Sequence, residues 1–558
     1  MDPTDAPRPS EAKHPFLLAG GGLVLGLSAV LYLTGLGWTD LWAPDEPRYA
    51  AIAEELRSMR HGLRGLFLLH VNDAVYTQKP PLWFWLAALA GVPGGRVDEV
   101  AARLPSALAA LASLGLTVSI GRQLRLSPRI ALLAAALLAT SYRFVFVARR
   151  AQLDGVLTTC LLAGIALFLW IDRPGPSERE RRPPVLPIAA LHVALGAGAL
   201  TKGPVAWLPL AVFAAFLAWE GRIRDLRRVA PPWAFAFSVA PLALWAGAAV
   251  AMAPPGYFDE AIVDNVFGRF FSGTAHARPF YYFVLQLPIE FLPWSGVLPA
   301  GLLWLHRSVD RPLATAPPAR AARFLICWIA LPFLFFSLSA GKRGLYLLPI
   351  LPALAIATAA GLVALAGRRS VPPARANRWG IVALGAVWLL YAALFLGVAP
   401  VLLEPHKSPR PLAEGARAIT GPEEVLGVYR LGPLEPALTY YGVDRVVGLS
   451  DPVGLDAFAR ADRGPVLLRT RDLSALADGT GLREVRRFRR GARSLSLARP
   501  TSPEPPWGRP RAAPESPRVG PTERTRSPYA LAIPPFSGMP GLPPGAYLRY
   551  SARGPDPR

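Results

Sequence analysis

Apolar residues run along this chain in blocks of about 17 to 25, separated by short basic or proline-rich stretches. A block of that length spans a hydrocarbon core as one helix. The blocks predict spans at about 15–37, 103–121, 128–147, 155–171, 185–200, 203–219, 232–253, 288–306, 322–340, 344–366 and 379–402. Segment 81–93 (PLWFWLAALAGVP) is apolar but too short to cross, and its Trp83 and Trp85 suit a juxtamembrane or re-entrant helix. After 403 the pattern changes. Runs such as VLGVYRL, RVVGL and GPVLLRT read as strands, with ITGPEEV and SDPVGLDAFARA between them as turns and short helices. From 501 onward Pro, Arg, Ser and Gly dominate without periodicity, which predicts a disordered tail. The expected architecture is a polytopic all-α membrane protein of about 11–13 transmembrane helices. It comprises an N-terminal segment 1–14, a membrane domain 15–402, a small α/β domain 403–500 and the tail 501–558.

Composition agrees: 52% of the 558 residues are hydrophobic and only 18% charged, with mean hydropathy +0.31. The net charge of +22 does not point to nucleic acid, because the arginines lie in loops between apolar blocks and in the tail. They are an orientation signal. Five loops carry them: around Arg122–Arg129, Arg173–Arg182, Arg222–Arg228, Arg307–Arg323 and Arg368–Arg378. If 81–93 does not cross, all five fall on one side, which the positive-inside bias makes cytoplasmic. Cys160 and Cys327 sit far apart in apolar blocks, so neither a disulfide nor a thiolate metal site is expected. The N-terminus has no cleavage pattern, and the first apolar run is expected to stay as an anchor.

The opposite side collects the long loops 40–102 and 254–287, the short ones at 148–154, 201–202 and 341–343, and everything after 403. Asp45, Glu46, Arg48 and Tyr49 open this set in LWAPDEPRY, where the first apolar run surfaces. Tyr76, Gln78 and Lys79 follow in YTQKPP, then Arg149, Arg150 and Asp154 in ARRAQLD. Lys202 lies in LTKGP, Asp264, Asn265, Arg269 and His276 in loop 254–287, and Lys342, Arg343 and Tyr346 in SAGKRGLY. Ionisable groups at a membrane boundary mark function by default. A few acids among many fixed bases suit acid–base work beside an anionic headgroup. Lys and Arg neutralise phosphate oxygens, and a carboxylate deprotonates the attacking acceptor. The combination suits glycosyl transfer from a lipid-phosphate sugar.

In order, DEPRYAAIAEEL, YTQKPPLWFWL, ARLPSALAAL, LDGVLTTCLLAGIAL, LTKGP, RF…PFYYF…LPWS and GKRGLYLLPILPAL resemble the GT-C integral-membrane glycosyltransferases over roughly residues 15–400. The likeness is to bacterial 4-amino-4-deoxy-L-arabinose lipid A transferases and their relatives in the protein O-mannosyltransferase superfamily. The resemblance implies inverting transfer from a polyprenyl-phosphate sugar to a lipid A-like, other envelope or protein acceptor, at the periplasmic face of the bacterial inner membrane. By motif position, Asp45 and Asp154 take the catalytic roles. Glu46, Arg48, Tyr49, Tyr76, Lys79, Lys202, Arg269, Lys342, Arg343 and Tyr346 line the donor and phosphate site. Some members hold zinc through a glutamate before the KPP lysine and a histidine four residues before RF. Here Gln78 and Asn265 stand there, both poor zinc ligands, so no metal cofactor is expected.

Plainer readings stand beside these. Asp45, Glu46 and Asp154 stand where a carboxylate serves a first helical turn, Lys202 where it snorkels, and Arg149 and Arg150 at a boundary. His70 and His276 read as surface loop residues. A protein O-mannosyltransferase-like enzyme is the nearest alternative. A lipid transporter or flippase is the alternative of another class, but it predicts polar residues on both sides and an internal repeat, and neither is evident.

Overall fold

The computed structural model describes residues 14–173, 185–268, 277–309, 317–368, 372–461, 463–490 and 493–500. The tail 501–558, most of the N-terminal segment, Arg269 and His276 therefore lie outside the described residues. Among those described, seven helices are long and apolar enough to cross a membrane: Glu99–Gln123, Leu153–Ile171, Val185–Lys202, Pro232–Met252, Pro318–Leu338, Gly344–Arg368 and Arg378–Leu402. A bent pair makes an eighth, and Ala19–Leu33 and Pro204–Trp219 are shorter apolar helices. The chain is a multi-pass membrane protein, with fewer full-length helices than the eleven blocks suggested. The helix Leu82–Ala90 has nine residues, about 14 Å at 1.5 Å per residue, and cannot span.

Two predicted spans are broken. The 128–147 block forms Pro128–Ala139 and Tyr142–Ala148, bent by 66°. Thr140 and Ser141 turn their hydroxyls back onto the carbonyls of Ala136 and Leu137, and the Tyr142 N–H leaves the helix to donate to Leu292. The 288–306 block forms Tyr282–Glu290 and Leu298–Val309, split near Pro288 and Pro293, which supply no backbone donor.

Two charged clusters at opposite ends of Leu153–Ile171 define the two faces. At its C-terminal end Asp172 binds Arg222 and Arg320, with Glu220 paired to Arg323 beside it. At its start Asp154 binds Lys202. Nineteen residues put about 28 Å between them. The helix Glu99–Gln123 carries Arg103 toward the second face and Arg122 at its other end, and Arg343 and Arg368 likewise flank Gly344–Arg368. The basic loops thus share one face and the unusual polar residues share the other.

Aromatic packing fills the interior, with Phe168 stacked on Phe213 at 4.0 Å and Phe324 edge-on to Phe216. Helices Leu298–Val309 and Leu351–Arg368 approach closely through Gly301 and Gly361. A Cβ on Gly301 would lie 2.7 Å from the Thr358 nitrogen, and one on Gly361 would overlap the Ala300 carbonyl. Small residues permit such contact between membrane helices. Cys160 and Cys327 are unbridged and serve only packing.

Residues 426–500 carry a five-stranded sheet whose strands lie side by side in the order Val446–Leu449, Leu426–Tyr429, Val466–Arg469, Arg493–Pro500 and Leu482–Arg490. Strands β3 (Leu426–Tyr429), β4 (Val446–Leu449) and β5 (Val466–Arg469) are parallel, and lie in the three runs read as strands. The antiparallel hairpin of β6 (Leu482–Arg490) and β7 (Arg493–Pro500) was not read from the sequence, because LREVRRFRR masks any apolar alternation. Charge of this kind is tolerated at a sheet edge. The domain grips loop 40–102 through polar contacts. Tyr441 accepts from the Leu41 N–H, Tyr440 donates to the Val97 carbonyl, and Arg410 pairs with Asp40 and Glu99.

Replacing Gly361 with Ala forces a methyl into the backbone of the neighbouring helix. The expected cost is about 1–3 kcal/mol of stability, read as a lowered Tm in thermal unfolding of the detergent-solubilised protein.

Candidate active site

The sequence DEPRY starts the helix Asp45–Arg57, in which successive residues are rotated by about 100°. Its two adjacent carboxylates consequently face different surroundings. Glu46 points inward and is fully buried. Arg103 donates to it from Nε at 3.0 Å and Nη2 at 3.2 Å, Arg150 pairs with it at 3.3 Å, and the N–H groups of Trp42 and Ala151 donate at 3.0 and 2.9 Å. Burial pushes the Glu46 carboxyl up, but the two guanidiniums outweigh it and hold it down at about 2. Arg103 spends its remaining donors on the carbonyls of Leu36, Thr39 and Asp40. Glu46 is therefore a structural clamp, which corrects its assignment to substrate binding. Its oxygens are already filled by protein donors, and they do not cap the first turn either.

Asp45 faces the other way. Arg48 holds Oδ1 at 2.6 Å and Arg343 holds Oδ2 at 3.1 Å. Burial raises its carboxyl, while Arg48, Arg343 and Lys79 lower it further, so that it lies below the ordinary 3.8. Arg343 keeps 39% of its side chain exposed and is free to reach an incoming anion. Asp154 binds Lys202 Nζ at 2.6 Å and caps no backbone N–H, which removes the capping reading. The ammonium of Lys202 lies 4.8 Å over the Tyr346 ring, and the charge of Asp154 is felt at Arg343. Asp45, Arg48, Lys79, Asp154, Lys202, Arg343 and Tyr346 thus form one constellation.

The remaining expected residues divide. Tyr49 and Tyr76 are buried in an aromatic cluster with Phe84, so they support the floor of the site with their rings. Lys342 corrects a second assignment. It is buried, and its Nζ donates to the backbone carbonyls of Ser339 and Arg278. It pins the GKRG turn instead of facing a phosphate, because a buried ammonium must be satisfied by oxygen acceptors. Arg149 donates to the carbonyls of Leu31 and Thr34, and Arg150 lies over the Trp42 ring at 4.3 Å. Both are structural. Arg269 lies outside the described residues.

Sequence reasoning missed Arg103 and the buried pair of Arg143 with Glu290. An arginine near the start of an apolar span was the available signal for Arg103. Glu290 also packs against Gly344, where any Cβ would collide with its carboxylate, so it shapes the turn that presents Arg343.

The zinc positions of the resembling family do not fit a metal here. Asn265 spends its amide on the Glu260 carbonyl, and Gln78 offers only a neutral amide.

Removing charge from the clamp has a defined consequence. Glu46→Gln leaves two buried guanidiniums without their anion and is expected to lower stability by about 3–5 kcal/mol. Because the folded carboxyl lies near 2 against an ordinary 4.5, its contribution is complete above 4.5 and is lost as pH falls toward 2. Denaturant unfolding of both proteins at pH 7 measures the difference.

Residues 26–244 match the family model of dolichyl-phosphate-mannose-protein mannosyltransferases. The undecaprenyl phosphate-α-4-amino-4-deoxy-L-arabinose arabinosyl transferase of Pectobacterium atrosepticum is 31% identical over 382 residues, covering 67% of this chain and 65% of the relative. Its counterpart from Pseudomonas aeruginosa is 31% identical over 390 residues, covering 67% and 64%. The chain thus spans just under two thirds of the length of these curated relatives. Among solved structures, ArnT from Cupriavidus metallidurans bound to undecaprenyl phosphate superposes with a TM-score of 0.66 at 20% identity, over 85% of this chain and 97% of that one. The oligosaccharyltransferase AglB from Archaeoglobus fulgidus gives 0.55 at 13% identity, over 82% and 70%. The chain thus resembles the aminoarabinose transferases in sequence and shares the fold of these solved transferases.

Proposed function

We propose that this protein is an inverting glycosyltransferase that moves a sugar from a polyprenyl-phosphate donor to a lipid A-like or other envelope acceptor, at the periplasmic face of a bacterial inner membrane. The observation that carries the reading is Asp45 held between Arg48 and Arg343 beside the Asp154–Lys202 pair, on the face opposite the basic loops. The relatives named for undecaprenyl-phosphate aminoarabinose transfer support the donor class.

In the reaction, the acceptor oxygen or nitrogen forms a bond to the sugar C1 as the C1–O bond to phosphate breaks. Asp45 accepts the acceptor's proton, and the leaving phosphate departs with the electron pair. Arg343, Arg48 and Lys202 stabilise the charge on it. Two cations on Asp45 make it a weak base in the free protein. A donor phosphate competes for Arg343, and losing that cation raises the basicity of Asp45 when the donor is bound. Asp154 fixes the Lys202 ammonium over Tyr346. The protein-mannosyltransferase model matched at 26–244 supports a protein hydroxyl as the second acceptor reading.

Lipid mass spectrometry tests the proposal on membranes of a host lacking this protein. One polyprenyl-phosphate sugar should accumulate, relieved by the wild type and not by Asp45→Asn. Equal relief by the variant would remove Asp45 from the chemistry. Arg343→Ala should lower kcat/KM for the donor by about 10²–10³. Since Asp45 ionises below 3.8, kcat/KM should show no acid-side loss from pH 7 down to about 5.

A further inference from the structure

At the far end of the Asp45–Arg57 helix, about 15 Å from Asp45 at 1.5 Å per residue, a second group of polar side chains lies outside the site above. Glu55 stands in the last turn of the helix. His61 follows in the loop, and Asp73 comes from the hairpin of β1 (His70–Val71) and β2 (Ala74–Val75). Asn72 and Asp73 form that hairpin's two-residue turn with φ of 54° and 61°, which fixes the direction of the Asp73 side chain. Glu55 Oε2 is 3.0 Å from His61 Nε2, which is 3.7 Å from Asp73 Oδ1. One ligand atom from each residue lies within 4.8 Å of the other two. His70, nine-tenths buried, stacks on His61 with centroids 3.8 Å apart, and its buried Nδ1 makes no hydrogen bond of good geometry.

We infer that Glu55, His61 and Asp73 form a site for a divalent transition cation of zinc type. Ligand bonds of 2.0–2.2 Å in a tetrahedron place ligand atoms about 3.3 Å apart. The two separations from His61, 3.0 and 3.7 Å, bracket that edge, and Glu55 and Asp73 lie within 4.8 Å of each other, so closing on an ion draws these two carboxylates together. One imidazole and two carboxylates make a donor set for zinc or manganese, and the fourth position is left to water. Two of the three ligands are held from behind. Glu55 Oε1 accepts from the Asn72 N–H at 2.7 Å, and His61 rests on His70. The plain alternative is an ion-pair network, since Arg60 holds both oxygens of Asp73, with Nε on Oδ1 and Nη2 on Oδ2, each at 2.9 Å. That pair is more than half exposed on both sides, where an ion pair is weak, and a divalent ion displaces it. Such an ion would tie the end of the catalytic helix to the hairpin that runs directly into Tyr76 and Lys79. The site is separate from Gln78 and Asn265.

The test uses the full-length protein without an oligohistidine tag, in detergent, stripped with chelator and titrated calorimetrically with Zn²⁺ and with Mn²⁺. One saturable equivalent is expected. Asp73→Asn should weaken binding by about tenfold or more, and Arg60→Ala should tighten it by removing the competing cation. Asp73 is 58% exposed, so its variant is expected to fold, and an unchanged Tm confirms that. No saturable binding, or wild-type affinity in Asp73→Asn, overturns the site. Neither outcome touches the proposed glycosyl transfer, which the titration does not measure.

Discussion

The Glu46 carboxylate organises this protein's polar face. It is fully buried, yet it stays charged because two arginines and two backbone N–H groups converge on it. Those donors come from three places: the loop before its helix, the start of the span Glu99–Gln123, and the segment with Arg150 and Ala151 ahead of Leu153–Ile171. Burying a carboxylate without such partners is prohibitive, so the clamp either forms completely or not at all. Once formed, it fixes the orientation of the Asp45–Arg57 helix. That rotation turns Asp45 toward Arg48 and Arg343.

The site is assembled by similar devices on other elements. Lys342 is anchored on carbonyls, and Glu290 packs on Gly344, so the turn between them holds Arg343 at Asp45. Asp154 and Lys202 meet because two antiparallel helices end at the same face. The C-terminal domain closes the arrangement by gripping Asp40, Leu41, Val97 and Glu99 around the clamp. Trp42 joins the two, donating to Glu404 while its ring lies under Arg150. Charge is consequently distributed by function. Filled pairs lie inward, and Arg343 is left partly exposed where an anion can reach it.

Much of this was legible from local pattern. Span length follows from bilayer thickness, so the multi-pass character of the chain and the common face of Asp45, Lys79, Asp154, Lys202 and Arg343 were readable. So were the three parallel strands of the last domain. The bend inside the 128–147 block was not legible, because average hydropathy hides Thr140 and Ser141, whose hydroxyls turn back onto the helix at the bend. His70 was taken for a surface residue because a short hairpin gives no hydrophobic period to reveal its burial.

The sequence by itself determined that the chain crosses a membrane several times and which segments carry the unusual charges. Each follows from composition within a window of about twenty residues. Only the tertiary structure decided which of two neighbouring acids is buried in a clamp and which faces Arg48 and Arg343, and that Lys342 is anchored on carbonyls while Arg343 stays partly exposed. Arg103 lies 57 residues from Glu46, Ala151 lies 105 away, and Arg343 is 298 from Asp45. The role of a charged side chain is set by the partners it meets, and over such separations only the folded chain brings them together.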